Sequence, residues 1–328
     1  MKRIFWIIYV CGIVAVFQAC TTVNTVSFER LQAAEVNFPE QIMTVGVVNC
    51  APYGGNDKDS MDYSSGLLEG DGKITAEVLA QELAAANYFN QIVICDSALH
   101  MAAADEKQSL SIEKKDSLIR SLGVDMLLAV EHVQIQLKEG SFFHPDFLVE
   151  VPGMNGMITP LIRAYIPSRS TPLFSFCMTD TVCWQLMPDL TYGQIIKEAS
   201  EYAAQLPINY LLPHWEEMSR FYFDGGNVNM RDAGFYVREQ DWENAYLLWK
   251  ELYDTKKGKV KMRAAYNMAV YYELQDDFVH AKECLDTAVA LAAEDSWEMQ
   301  LIQYYQLQLE EQAKLNQRLK VQMRRFDP

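Results

Sequence analysis

Two periods of apolar and polar positions divide this chain of 328 residues. Up to about residue 215 the apolar runs are short and broken by Gly, Asp, Ser and Pro. "QIMTVGVVNCA" is a compact β-branched run and predicts a buried strand, followed by a Gly- and Asp-rich loop. "ITAEVLAQELAAANYF" places Val78, Leu79, Leu83 and Ala86 at helical spacing, and "QIVICD" is a second short strand. "SIEKKDSLIRSLG" opens on a capping serine and stops at Gly123, so it predicts a helix. "VDMLLAVEHVQIQL" predicts a long strand that alternates only in its second half. A loop is expected from about 139 to 157. "ITPLIRAYIP" and "PLFSFCMTDTVCWQL" then predict two strands joined at "SRST", before a helix from "TYGQIIKEAS" that runs into a proline-broken segment. The order β-α-β-α-β-β-β-α implies a mixed sheet with helices packed on it.

The last third carries only the helical period. "AGFYVREQDWENAYLLWKELY" aligns with "MAVYYELQDDFVHAKECLDTAVAL": Ala233 with Ala269, Tyr236 with Tyr272, Ala245 with Ala281 and Trp249 with Leu285, each 36 apart. Small residues let paired helices approach, and the larger ones fill the groove between them. A long helix over about 296–324 closes the stack. This pattern resembles the tetratricopeptide repeat, whose period is 34. It departs at Asp232, where an apolar residue is expected, and at Ala293, where the closing proline would stand. The resemblance implies that the first helix of each pair lines a concave face, placing Met230, Arg238, Arg263, Tyr266, Val270 and Glu273 toward a bound peptide or helix. Two units and a cap are near the minimum for such an array, so it is expected to lean on the first domain.

At the other end, Lys2 and Arg3 precede an apolar run of fourteen residues, Ile4 to Phe17. A bilayer needs about 20 helical residues, so the run predicts a secretory signal and not a span. Ala19-Cys20 resembles the lipobox of bacterial lipoproteins, with Phe17 and Gln18 departing from its usual residues. That resemblance implies lipidation of Cys20 and anchoring by several acyl chains. The organisation expected is a signal over 1–19, a tether over 20–40, a mixed α/β domain over 41–215 and a tetratricopeptide-like region over 216–328. The fold class is α+β. The first domain resembles the α/β domain of Tol-system and curli-secretion-type lipoproteins. The whole chain, with "AAEVNFPEQIMTVGVVN", resembles an uncharacterised family of lipoproteins from Gram-negative gut anaerobes. That resemblance implies location and architecture, and no activity.

Charge narrows the partners. Formal net charge is −16, and the first nineteen residues carry two positive charges and no acids. Such a body is a poor ligand for nucleic acid, which rewards clustered Lys and Arg. The basic cluster of Lys314, Arg318, Lys320, Arg324 and Arg325 suits a helix C-terminus. Cys50, Cys95, Cys177, Cys183 and Cys284 have no metal-ligand spacing and are expected to be small buried hydrophobes. Nucleophile-elbow, phosphate-loop and zinc-protease motifs are missing, so no catalytic residue, metal or cofactor is assigned. Glu131 and His132 should point to opposite faces of a strand. Asn56, Asp57, Asp59 and Asp62 lack calcium-loop spacing, and Phe142, Phe143 and Phe147 form an aromatic loop.

The reading that follows is a non-enzymatic, lipid-anchored outer-membrane protein facing the periplasm and binding another protein through its repeats. A carbohydrate-binding accessory, using Trp184, Trp215, Trp242 or Trp297, is the alternative, with a cryptic hydrolase behind it.

Overall fold

The computed structural model describes residues 23–52, 66–95, 110–144, 148–167, 169–187 and 190–326. Cys20 and the acidic stretch of Asn56, Asp57, Asp59 and Asp62 lie outside them, as do Phe147 and the side chain of Phe142. The chain divides into two compact units: Ala34–Pro213 with Gln322–Pro328, and His214–Val321 with the residues up to Ala33.

The first unit is a mixed sheet with helices. Its strands are β2 (Thr44–Asn49), β3 (Leu67–Glu69), β4 (Gln91–Cys95), β5 (Met126–His144), β6 (Val149–Tyr165), β7 (Phe174–Cys177) and β8 (Asp180–Gln185). The order is β4-β2-β5-β6-β7, with β3 added on β5 and β8 on β6. β2 runs parallel to β4 and β5, and the remaining pairings are antiparallel. Helices α1 (Gly72–Ala85) and α3 (Tyr192–Gln205) and the short α4 (Ile208–Leu211) share one core with Val45, Val47, Met126, Leu128, Ile158 and Ile162. Helix α2 (Ile112–Leu122), capped by Ser111 and ended by left-handed Gly123, packs with Val48, Leu127, Ala129 and Tyr165. The middle of β2, Val45 to Val48, is therefore free of polar side chains because both its faces are covered.

β5 keeps one core face along its length by a register shift between Val130 and His132. Before the shift Met126, Leu128 and Val130 point into the core; after it Val133, Ile135 and Leu137 do. A bulge absorbs one residue and reverses the phase of alternation, which is why alternation in the sequence begins only halfway along. Residues 139–144 and 149–157, expected from their Gly and Pro residues to lie in a loop, are strand, pairing Glu139 with Met154 and Phe143 with Glu150 in the far half of β5 and β6. Likewise "PLFSFCMTDTVCWQL" forms two strands, both paired with β6. Cys177 and Cys183 lie on these separate strands and are exposed, which corrects their expected burial; Cys50 and Cys284 are buried as expected.

The second unit opens with β1 (Val23–Gln32), where a tether was expected. β1 pairs antiparallel over ten residues with β9 (His214–Phe223), from Val23 opposite Phe223 to Gln32 opposite His214. Five helices follow: α5 (Val228–Arg238), α6 (Trp242–Thr255), α7 (Gly258–Leu274), α8 (Phe278–Leu291) and α9 (Trp297–Met323).

The 36-residue spacing is structural. Ala233 and Ala269, Ala245 and Ala281, and Trp249 and Leu285 are all fully buried. The two interhelical turns repeat in their backbone: Gln240 has φ 59° and Asp276 φ 58°. Asp241 and Asp277 each cap the next helix and donate their own N–H to Tyr236 and Tyr272, at 2.8 and 2.9 Å.

Candidate functional site

The predicted concave face is filled within the second unit. Met230, Tyr266, Val270 and Glu273 are fully buried, and Arg263 is 7% exposed. The covering elements are the β1–β9 pair and α9. Phe223 packs its ring on Tyr266 at 5.2 Å. Asn267 accepts from the Phe223 N–H at 2.8 Å and donates to the Phe223 carbonyl at 2.6 Å, holding strand backbone as a groove residue holds a peptide. Arg263 donates to the Gly225 carbonyl at 3.1 Å and pairs with Glu298 at 3.4 Å. The face that the resemblance assigned to a partner is thus occupied by the chain's own elements. Five of the six side chains assigned to a partner belong to the unit's own core. Arg238 is exposed, with its guanidinium 4.7 Å above the Phe235 ring.

At the centre of that face lies a charged cluster that the sequence did not announce. Arg220 donates to both carboxylate oxygens of Glu273, at 2.9 and 2.7 Å, and Tyr305 donates its hydroxyl to the same carboxylate at 2.6 Å. Arg30 donates to the Glu273 carbonyl at 3.1 Å and pairs with Asp276. Burial lowers the Arg220 pKa, but the Glu273 hydrogen bonds and charge outweigh it and hold it above its ordinary value. Burial, then the Glu273 charge, keep the Tyr305 phenol well above its own. At neutral pH Arg220 and Tyr305 therefore keep their protons. Glu273 and Asn267 were each legible as a polar residue interrupting an apolar helix, without their partners.

The first unit has its own buried charge, at the β5 bulge. Glu131 is 5% exposed and takes hydrogen bonds from Tyr165, at 2.5 Å, and from Arg163. Burial raises its pKa, against the pull of Tyr165 and Arg163. His132 turns instead to Glu69, 3.4 Å away, so the two neighbours have separate partners, although the register shift interrupts simple alternation at this point. Cys50, whose charge senses Glu131, has its thiol pushed up to about 12, chiefly by burial, and is not a thiolate nucleophile. A cavity of about 320 Å³ lies among Glu139, Met154, Leu186, Met187, Tyr192 and Ile195, with one carboxylate in its lining.

Of the four tryptophans named for sugar binding, Trp184 is buried and donates to Glu198 at 2.7 Å, and Trp242 is half-buried. Trp215 and Trp297 are exposed, 69% and 48%. None of the four lines a described cavity. Among the described residues no group of three metal-ligating side chains comes together, and no helix is long and apolar enough to cross a membrane.

Residues 42–223 match the family model of the domain of unknown function DUF8603, more than half of the chain. Residues 231–311 match that of the domain of unknown function DUF6340. No curated protein matches. Among solved structures the chain is similar to the PelC dodecamer from Paraburkholderia phytofirmans, at 11% identity over 58% of this chain and 100% of that one, with a TM-score of 0.29. It is also similar to a minor lipoprotein from Acinetobacter baumannii, at 9% identity over 54% and 98%, with a TM-score of 0.24.

Proposed function

The chain belongs to the DUF8603 family, and on that footing we propose that it is a lipid-anchored envelope protein that works by binding another protein. Cys20 carries the anchor, and the body faces the periplasm from the outer membrane. The observation that carries the binding role is the duplicated helical hairpin, in which Ala, Tyr and capping Asp recur at 36-residue spacing with the same turn geometry. Stacked helical pairs of the tetratricopeptide kind are built to present extended surfaces.

With the concave face filled, the outward positions are those left for a partner. Phe235, Leu247 and Val279 are 62%, 53% and 69% exposed. A catalytic reading has less support, because the groups of Arg220–Glu273–Tyr305 and Glu131–Arg163–Tyr165, all buried but the half-buried Arg163, are occupied with one another. The carbohydrate reading is weaker still, since no tryptophan lines a described cavity.

Photo-crosslinking residues placed at Phe235, Leu247 and Val279 in intact cells test the binding role. A discrete protein adduct from at least one of them is expected. Bare monomer at all three would remove the basis of the reading. The anchor is tested separately by the mass of the N-terminal peptide, which should begin at an acylated Cys20.

A further inference from the structure

β1 begins at Val23, three residues after Cys20. Three peptide steps reach about 11 Å at full extension, so a lipid on Cys20 leaves almost no leash. Which surface of the second unit stands at the Val23 end is therefore a structural question.

Val23 pairs with Phe223, and Phe223 lies 5.9 Å from the ring of Trp297, itself 48% exposed. Beside Trp297, Glu298 pairs with Lys259 at 2.5 Å and with Arg263 at 3.4 Å, and Arg263 also lies 5.0 Å over Phe223. These contacts bring the turn between α6 and α7, "TKKGKVK", to the same end of the unit as Val23. From Thr255 to Tyr272 the chain has five basic residues and no acid, in a protein of net charge −16. Lys256, Lys257 and Lys259 are exposed, and Lys256 and Lys257 have no acidic partner among the described residues. Glu294 and Asp295 stand near Trp297 and oppose the lysines in part. Val228 and Phe221 add exposed apolar surface, 58% and 40%.

We infer that this end is a membrane-seating face: Lys256, Lys257 and Lys259 rest on anionic phospholipid headgroups, with Trp297 at the headgroup level, in the bilayer that holds the protein's own lipid. The inference rests on the Cys20 reading for its geometry. Basic clusters beside a membrane attachment point draw to anionic lipid, and tryptophan prefers the interface. The net negative body then turns this acid-free, lysine-rich stretch toward the bilayer.

The test separates this face from the anchor. The mature chain, with a histidine tag ahead of residue 20, is held on nickel-chelating vesicles that contain phosphatidylglycerol. That attachment holds the chain by the same end whether or not cells acylate Cys20. Amine labelling followed by peptide mass spectrometry then compares Lys256 and Lys257 with Lys314, which is exposed and about 25 Å further along α9 from Trp297. Labelling of Lys256 and Lys257 should fall about fivefold on these vesicles relative to free protein, with Lys314 unchanged. Protection should shrink on phosphatidylcholine vesicles holding the same chelating lipid. Equal labelling of the three lysines on phosphatidylglycerol would overturn the seating face, while an unacylated Cys20 in cells would instead overturn the anchor.

Discussion

The Tyr305 hydroxyl sits 2.6 Å from a Glu273 carboxylate oxygen, inside a helical unit that offers that carboxylate no water. Arg220 takes the rest of the carboxylate, and both partners of the ion pair are at most 3% exposed. A buried pair adds little net stability when intact, yet removing one partner strands the other charge. Glu273→Ala should cost about 3–5 kcal/mol in urea unfolding. Tyr305→Phe, which loses one hydrogen bond to a charge, should cost about 1.5–3 kcal/mol. The double replacement Arg220→Met/Glu273→Leu should recover most of the first loss. A double variant as unstable as Glu273→Ala would show that the pair itself, and not the stranded arginine, carries the energy.

The cysteines should separate sharply by reactivity. Burial pushes the Cys50 thiol up to about 12 and that of Cys284 to about 11, whereas Cys177 and Cys183 are exposed on β7 and β8. A maleimide pulse at pH 7.5 on the native protein should modify Cys177 and Cys183 within minutes and leave Cys50 and Cys284 until the protein is denatured. Rapid native labelling of Cys50 would contradict its place between the sheet and α2.

Local pattern made some of this fold legible and long-range pairing hid the rest. The β2 run, the Ser111 and Gly123 caps of α2 and the helical period of the last third were readable because each is set by neighbours within a few turns. β1 was not: "VNTVSFERLQ" reads as a polar tether until β9, some 190 residues away, supplies its ladder. The far half of the β5–β6 hairpin was disguised by Gly140, Pro152 and Gly153, which sit where strands are usually excluded. The filled groove was hidden for a different reason. Tyr266, Val270 and Asn267 have the composition of a binding face, and composition is the same whether the occupant is a partner or the chain's own β9.

Gly156 should be among the least tolerant glycines of the hairpin. A Cβ there would lie 2.5 Å from Trp184 Cζ3, and the indole cannot easily retreat while it donates to Glu198. Gly156→Ala is expected to destabilise by about 1–3 kcal/mol and to shift the Trp184 emission, read by thermal unfolding and fluorescence. Trp184→Phe in the same background should restore part of the loss, because the clashing ring edge is gone. An unchanged melting temperature for Gly156→Ala would mean that β8 is free to move off β6.

His280 supplies the pH-dependent element of the repeat. Its ring stacks on Tyr272 at 5.2 Å and lies 2.5 Å from Asp277, the residue that caps α8. The Asp277 hydrogen bond, then its charge, raise the His280 pKa above the ordinary histidine value, and the His280 backbone and side chain hold the Asp277 pKa below that of a free carboxylate. The signs differ for the two partners. The stabilisation from His280 is complete below about pH 6.5 and fades as pH rises through its elevated folded pKa. That from Asp277 is present above about pH 3.9 and fades as pH falls through its lowered one. The pair therefore favours the folded hairpin most between those limits. Because both groups are exposed, the effect should be small in global unfolding and clear in an NMR titration of the His280 ring. Asp277→Asn keeps an acceptor for the α8 cap but removes the charge, so the His280 midpoint should drop toward the free value while the helix stays formed. A midpoint unmoved by that substitution would assign the elevation to Glu283 instead of Asp277.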